Sequence, residues 1–217
     1  DSTAKSVISG LRRTERISIH GGIGSSYELV AHHYGPQDGE SVYIQASVHA
    51  DELPGMLVVH HLIKELDALE SQGLIHKKIT VVPYANPIGL AQDLLGTHIG
   101  RFSLDSGINF NREFGDYSEK IESLIESGSI ILSKDDASKN VATIRQAMSK
   151  EISMTLDSVN LNSENVLKYN LLKLACESDI VLDLHCDTNA LLHMYTHTKL
   201  WPAMRDLAGD MGAWCTL

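Results

Sequence analysis

The 217 residues are 43% hydrophobic and 21% charged, a balance that supports a buried core and excludes a disordered tail. Asp and Glu (28) outnumber Lys and Arg (18) for a net charge of −10, with acids and bases interspersed, which argues against nucleic acid or an anionic membrane as a partner. No run approaches the ~20 apolar residues of a membrane span, the start Asp1-Ser-Thr-Ala-Lys5 lacks a leader pattern, and three cysteines make no staple framework, so a single cytoplasmic domain over 1–217 is expected.

Taken in chain order, Arg16–His20 and Tyr27–Ala31 alternate apolar and polar residues around Gly21-Gly22-Ile23-Gly24, the pattern of a β-hairpin within an N-terminal region 1–38. A strand over Val42–Val48 runs directly into His49-Ala-Asp-Glu52-Leu-Pro54. From Leu53 the period becomes helical, with Met56, Val59, Ile63 and Leu66 along one side, Asp51 placed to cap and Pro54 tolerated in the first turn. Lys78–Tyr84 and Asp179–Leu184 are apolar almost throughout, as strands covered on both faces are. Between them, Tyr117–Asn170 is rich in Ser, Asn and Asp and predicts a loose excursion with helical pieces such as Asn140–Leu156. A helical ending over Pro202–Trp214 completes an α/β fold: a mixed, largely parallel sheet flanked by helices. Reactive groups in such sheets stand beyond the carboxyl ends of the strands, where His49 and His185 lie.

His49 and Glu52, at i and i+3 where a strand becomes a helix, project into one volume, so an imidazole and a carboxylate can share a metal ion. A catalytic zinc takes three protein ligands, and His185, closing a second core strand, is the candidate third. H-x-x-E alone also occurs by chance. A further segment, Gly100-Arg101-Phe-Ser-Leu-Asp-Ser-Gly-Ile-Asn109-Phe-Asn111-Arg112, strengthens the case. His49-x-x-Glu52, Arg101, Asn111-Arg112 and Asp183-Leu-His185 together resemble the zinc carboxypeptidase superfamily. The wording of Ala46–Gly55, Asn86-Pro-Ile-Gly89 and Asp183–Asp187 is most similar to its succinylglutamate desuccinylase and aspartoacylase branch, over roughly Val42 to Tyr195.

That resemblance implies one zinc ion held by His49, Glu52 and His185, Arg101 polarising the scissile carbonyl, and Asn111 with Arg112 gripping the substrate's free carboxylate. A planar guanidinium beside an amide donor suits a carboxylate on chemical grounds too. The implied activity is hydrolysis of the amide bond of an N-acyl amino acid; the alternatives are a metallocarboxypeptidase acting on peptides and a metal-binding domain with impaired catalysis. The last arises because the family's general-base glutamate, on a strand well after the third ligand, has no counterpart here: only Asp206 and Asp210 follow, in a helical pattern, so the fold is expected to lack its C-terminal part. Asn109 stands where the peptidase branch has an acidic residue, and its oxygen can orient an imidazole. Asp183 shares a strand face with His185, as its orienting partner or as a structural carboxylate. His193 and Tyr195 line the pocket or form an edge strand. Cys186 points to the opposite face from its neighbour and is left out. His60 and His61 are read as helix surface, Gly21–Gly24 lacks the Lys-Ser/Thr of a phosphate loop, and there is no G-x-S-x-G elbow.

Overall fold

The computed structural model describes residues 5–9, 12–158 and 161–217; the Asp1–Ala4 start lies outside them. They fall into two compact units, 1–185 and 186–217. In the first, β1 (Lys5–Ser9) pairs antiparallel with β2 (Arg12–His20), which forms the expected hairpin with β3 (Ser26–Tyr34). Next come β4 (Ser41–Ala46), α1 (Leu53–Ser71) and β5 (Lys78–Val82), a strand-helix-strand crossover whose two strands pair in parallel. α1 buries Gly55, Val59 and Leu66, the side expected from the sequence. Its cap position is Glu52 rather than Asp51, and no side-chain cap bond forms there. A tight turn, with the Glu52 amide donating to the His49 carbonyl at 3.1 Å, leaves Asp51 exposed and Glu52 turned inward.

After β5 come a single helical turn, α2 (Pro87–Leu90), and a small hairpin, β6 (Asp93–Leu94) with β7 (Thr97–His98). The stretch predicted as a loose excursion with helical pieces holds three helices: α3 (Ser118–Glu126), α4 (Ala137–Leu156) and α5 (Ser163–Cys176). Polar residues there serve as caps and solvent faces. Asp136 accepts from the Lys139 amide and Asn162 from the Asn165 amide, satisfying helix-start donors. α4 contains the helical piece expected over Asn140–Leu156 and begins three residues earlier; it buries only Ile152, so its hydrophobic stripe is narrow.

β8 (Ile180–Leu184) returns in parallel to β4 on the side away from β5, giving the order β1-β2-β3-β5-β4-β8. The mixed α/β fold with flanking helices is as expected. Within the six-stranded sheet parallel pairing runs through β5-β4-β8, while β1, β2 and β3 join antiparallel. Successive β4 residues serve opposite faces: Ile44 and Ala46 pack with Val59 and Leu66 of α1, and Tyr43 packs with Leu167 and Leu171 of α5. Asp179 fixes the start of β8, its carboxylate accepting from the Ser41 amide at 2.8 Å and from Arg145 of α4; these donors, Arg145 foremost, hold its carboxyl below the usual carboxylate range. The second unit contains β9 (His193–Met194), α6 (Trp201–Asp210) and β10 (Cys215–Thr216), with β9 and β10 paired in parallel. Among the described residues no helix is long and apolar enough to cross a membrane.

His32 on β3 gives the fold a pH dependence. Burial, reinforced by the nearby Arg12 guanidinium and opposed by Asp67, pushes its imidazole from 6.5 down to about 4, with Thr14 Oγ1 3.1 Å from Nδ1. Between those values the unfolded chain binds a proton that the folded one refuses, so stability rises with pH across the window and is lost on acidification. His32→Gln is expected to flatten this part of the stability curve relative to the parent in urea unfolding from pH 4 to 7. Parallel curves would show that His32 titrates alike in both states.

Candidate metal centre

β4 and β8 lie side by side and parallel, with Ala46 opposite Leu184, so the segments leaving their carboxyl ends emerge together. Just past β4 the chain turns sharply at Ser47, which is buried and adopts φ 70°, a left-handed conformation costing a non-glycine residue ~1–3 kcal/mol. Ser47 Oγ is buried without a hydrogen-bond partner among the described residues. Asn86, fully buried, holds this turn: its Nδ2 donates to the Val48 carbonyl at 2.9 Å, and its Oδ1 accepts from the Gly89 amide at 2.8 Å. The Asn86–Gly89 motif thus braces the backbone immediately before His49. Gly55 lets the first turn of α1 settle on the strand ends, since a Cβ there would lie 3.1 Å from the Leu184 carbonyl oxygen.

His49, Glu52 and His185 converge, with one ligand atom from each within 4.8 Å of the others. His49 and Glu52 are 4% and 8% exposed, so two of the donors are buried at the strand ends, while His185 faces solvent. Each Glu52 oxygen faces a different ring: Oε1 is 2.9 Å from His49 Nδ1, and Oε2 is 2.9 Å from His185 Nδ1. The outer nitrogens are also engaged, His49 Nε2 at 2.8 Å from Asn109 Oδ1 and His185 Nε2 at 2.9 Å from Asp183 Oδ2. An Nε2–H donated to each of these acceptors leaves both Nδ1 lone pairs aimed inward beside the carboxylate. This donor set fits a divalent cation of the zinc type: two imidazoles and one carboxylate, with their outer N–H groups anchored. Asp183, helped by Glu52 and opposed by burial, raises the His185 pKa.

Arg101 reaches the same place. Its Nη1 donates to His49 Nδ1 at 3.0 Å and its Nη2 to Glu52 Oε1 at 2.9 Å. It arrives there because Gly100 passes directly over the His49–Glu52 turn: the Gly100 carbonyl accepts from the Ala50 amide at 2.9 Å, and a Cβ on Gly100 would fall 2.2 Å from the Asp51 nitrogen. Asn111 Nδ2 lies 3.3 Å from His185 Nε2. Arg112 is exposed, its Nη1 donating to the Asn111 carbonyl at 2.7 Å, and it makes no ion pair among the described residues. Of the six site residues expected from sequence, His49, Glu52, His185, Arg101 and Asn111 are therefore linked by direct contacts, and Arg112 follows Asn111 with its own side chain turned to the Asn111 carbonyl. His193 and Tyr195 belong to the second unit, where their rings meet edge to face at 5.1 Å. His60 and His61 are exposed on α1, as expected. The bracing by Asn86 and the close passage of Gly100 had no signature beyond the motif wording and an isolated glycine.

The family model described as succinylglutamate desuccinylase/aspartoacylase catalytic domain matches residues 38–157, more than half of the chain. The chain belongs to this family. Its members are hydrolases of the deacylase type. Among solved structures, a protein of this class from Shewanella frigidimarina NCIMB 400 is 25% identical with a TM-score of 0.71, covering 89% of this chain and 49% of that one. A succinylglutamate desuccinylase/aspartoacylase family protein from Shewanella amazonensis SB2B is 24% identical with a TM-score of 0.72, covering 92% and 62%. An aspartoacylase family protein from Mesorhizobium loti shares the fold at 16% identity and a TM-score of 0.57, covering 100% and 56%. The chain thus spans about half to three fifths of the length of these structures. No protein with a curated description matches it.

Replacing His185 with Ala removes one of three donors, and stoichiometric zinc is expected to disappear from the purified protein by elemental analysis. Asn109→Ala and Asp183→Ala keep all three donors but free one ring each, which is expected to weaken zinc binding ~10- to 100-fold in competition with a chelator. Unchanged affinity in both would separate these acceptors from the metal centre.

Proposed function

We propose that this chain carries the metal-binding and carboxylate-recognising part of a zinc-dependent hydrolase that cleaves the amide bond of an N-acyl amino acid, in the cytoplasm. The observation that carries the reading is the Arg101 guanidinium and the Asn111 amide set against a His-Glu-His cluster, with Arg112 next to Asn111 in the chain, in a family of deacylases. The odd count of three cysteines, in a chain long enough to fold without staples, supports a reducing compartment.

A zinc ion bound by His49, Glu52 and His185 would supply a Lewis acid and a water whose pKa falls to about 7. The residues of the chain do the rest. Asn109 and Asp183 hold the two imidazoles in the tautomer that turns Nδ1 inward. Arg101, within 3.0 Å of two ligand atoms, is placed to donate to the scissile carbonyl oxygen as negative charge develops there. Among the described residues Arg112 has no carboxylate to satisfy it, so its fork is available for the substrate's free carboxylate, with the Asn111 amide adding a neutral donor. With a net charge of −10 the molecule as a whole repels an anionic substrate, and these two arginines must provide attraction locally.

Arg112 is the residue through which to test the reading. Arg112→Lys keeps the charge but loses the two-pronged geometry, and Arg112→Ala loses both, so affinity for N-acyl amino acids in calorimetry is expected to fall in that order while zinc content stays constant. Equal affinity of all three proteins would remove Arg112 from the site. Turnover of short peptides in preference to N-acyl amino acids would reassign the reaction to a carboxypeptidase.

A further inference from the structure

The residues that would meet substrate, Arg101, Asn111 and Arg112, lie on one loop with Asn109, which anchors His49, and the shape of that loop is set from a distance. Its legs run antiparallel, with Phe102 bridged to Asn109, the Ser103 amide donating to the Ile108 carbonyl at 2.9 Å, and the Phe110 amide donating to the Arg101 carbonyl at 3.1 Å. Two serines order the turn between the legs. Ser103 Oγ accepts from the Asp105 and Ser106 amides at 3.1 and 3.3 Å, and Ser106 Oγ accepts from the Ile108 amide at 3.1 Å. With their oxygens so occupied, both hydroxyls send their protons to one carboxylate: Ser103 to Glu164 Oε1, and Ser106 to Glu164 Oε2 at 2.9 Å.

Glu164 sits in the first turn of α5 and is 4% exposed; Ser103 is 3% exposed. Lys168, one helical turn further along α5 and 2% exposed, is the cation that faces it, and Glu113 also bears on that lysine. Burying a carboxylate costs desolvation that a well-packed apolar residue would avoid, so net stability is a poor account of a glutamate here. Two-pronged acceptance of hydroxyls from both sides of the turn supplies orientation instead. Phe110, buried against Leu167 and Leu171, pins the return leg to the same helix.

We propose that Glu164 is a positioning residue for the substrate-binding loop. By clamping Ser103 and Ser106 it sets the stagger of the two legs, and thereby where Arg101 and Arg112 stand relative to His49, Glu52 and His185. The effect on ligand binding rests on the functional reading above; the clamp itself does not.

The test uses the zinc-loaded protein and its Glu164→Ala, Glu164→Gln and Ser106→Ala variants. Zinc content by elemental analysis, amide exchange by NMR, and affinity for N-acetylaspartate and N-succinylglutamate by calorimetry are read together. Glu164→Ala is expected to retain zinc, to speed exchange at Asp105, Ser106 and Ile108 by ~10-fold or more, and to weaken whichever acyl amino acid the parent binds ~10- to 100-fold, because a small misplacement of a binding group is enough to cost that much. Glu164→Gln, which keeps the length and one acceptor, should fall between it and the parent. Should Glu164→Ala fail to fold, Ser106→Ala severs one arm from the less buried side and should show the same local loosening. Unchanged exchange in the turn, or loosening spread equally through β4 and β5, would overturn the proposal. A parent protein that binds zinc but neither acyl amino acid would count against the functional reading, leaving the exchange data to judge Glu164.

Discussion

A single carboxylate, Glu52, has one oxygen 2.9 Å from a nitrogen of His49 and the other 2.9 Å from a nitrogen of His185, tying together residues that are 3 and 133 positions away in sequence. Three imidazole or carboxylate groups, two of them buried, converge only if the strands beneath them are adjacent, parallel and in register, and if the helix between begins at the strand end. Much of the first unit satisfies that requirement. β4 and β8 pair with Ala46 opposite Leu184, Gly55 lets α1 settle against them, and Asp179 fixes where β8 begins. The strained Ser47 turn and the Asn86 brace aim the segment that leaves β4.

The arrangement also explains how an acidic protein presents positive charge to a ligand. Arg101 is brought in by the close passage of Gly100 over the His49–Glu52 turn, and Arg112 follows an asparagine that already touches His185. Both arginines hang from one short antiparallel loop whose turn is fixed to α5 by Glu164. The proposed metal and anion sites therefore rest largely on different elements, the first on the parallel strands and α1, the second on the loop and α5, with Asn109 and Arg101 joining them at His49 and Glu52.

The elements that build the metal centre were legible because their signals are local. An imidazole and a carboxylate at i and i+3 after an apolar strand, and a histidine closing another, carry their meaning in a few residues, and the ordered motifs supplied the family. Contacts between distant segments were not legible. Nothing in Ser103 or Ser106 announces a glutamate about 60 positions later, and Glu164 reads as an ordinary first-turn acid. Most of α4 was legible as a helical piece, but α3 and α5 did not stand out, since stretches rich in Ser, Asn and Asp look like loops when only composition is weighed. Asp51 reads as the cap of α1 on residue preference, yet the tight turn at His49 leaves it in solvent and turns Glu52 inward, toward the chemistry.

The most direct test of this account is X-ray absorption at the zinc edge of the metal-loaded protein. Two imidazole rings and an oxygen donor at ~2.0–2.2 Å are predicted, with the scattering of one ring lost in the His49→Ala variant. Scattering from a single ring in the parent, or a sulfur neighbour at ~2.3 Å, would contradict a centre built from His49, Glu52 and His185.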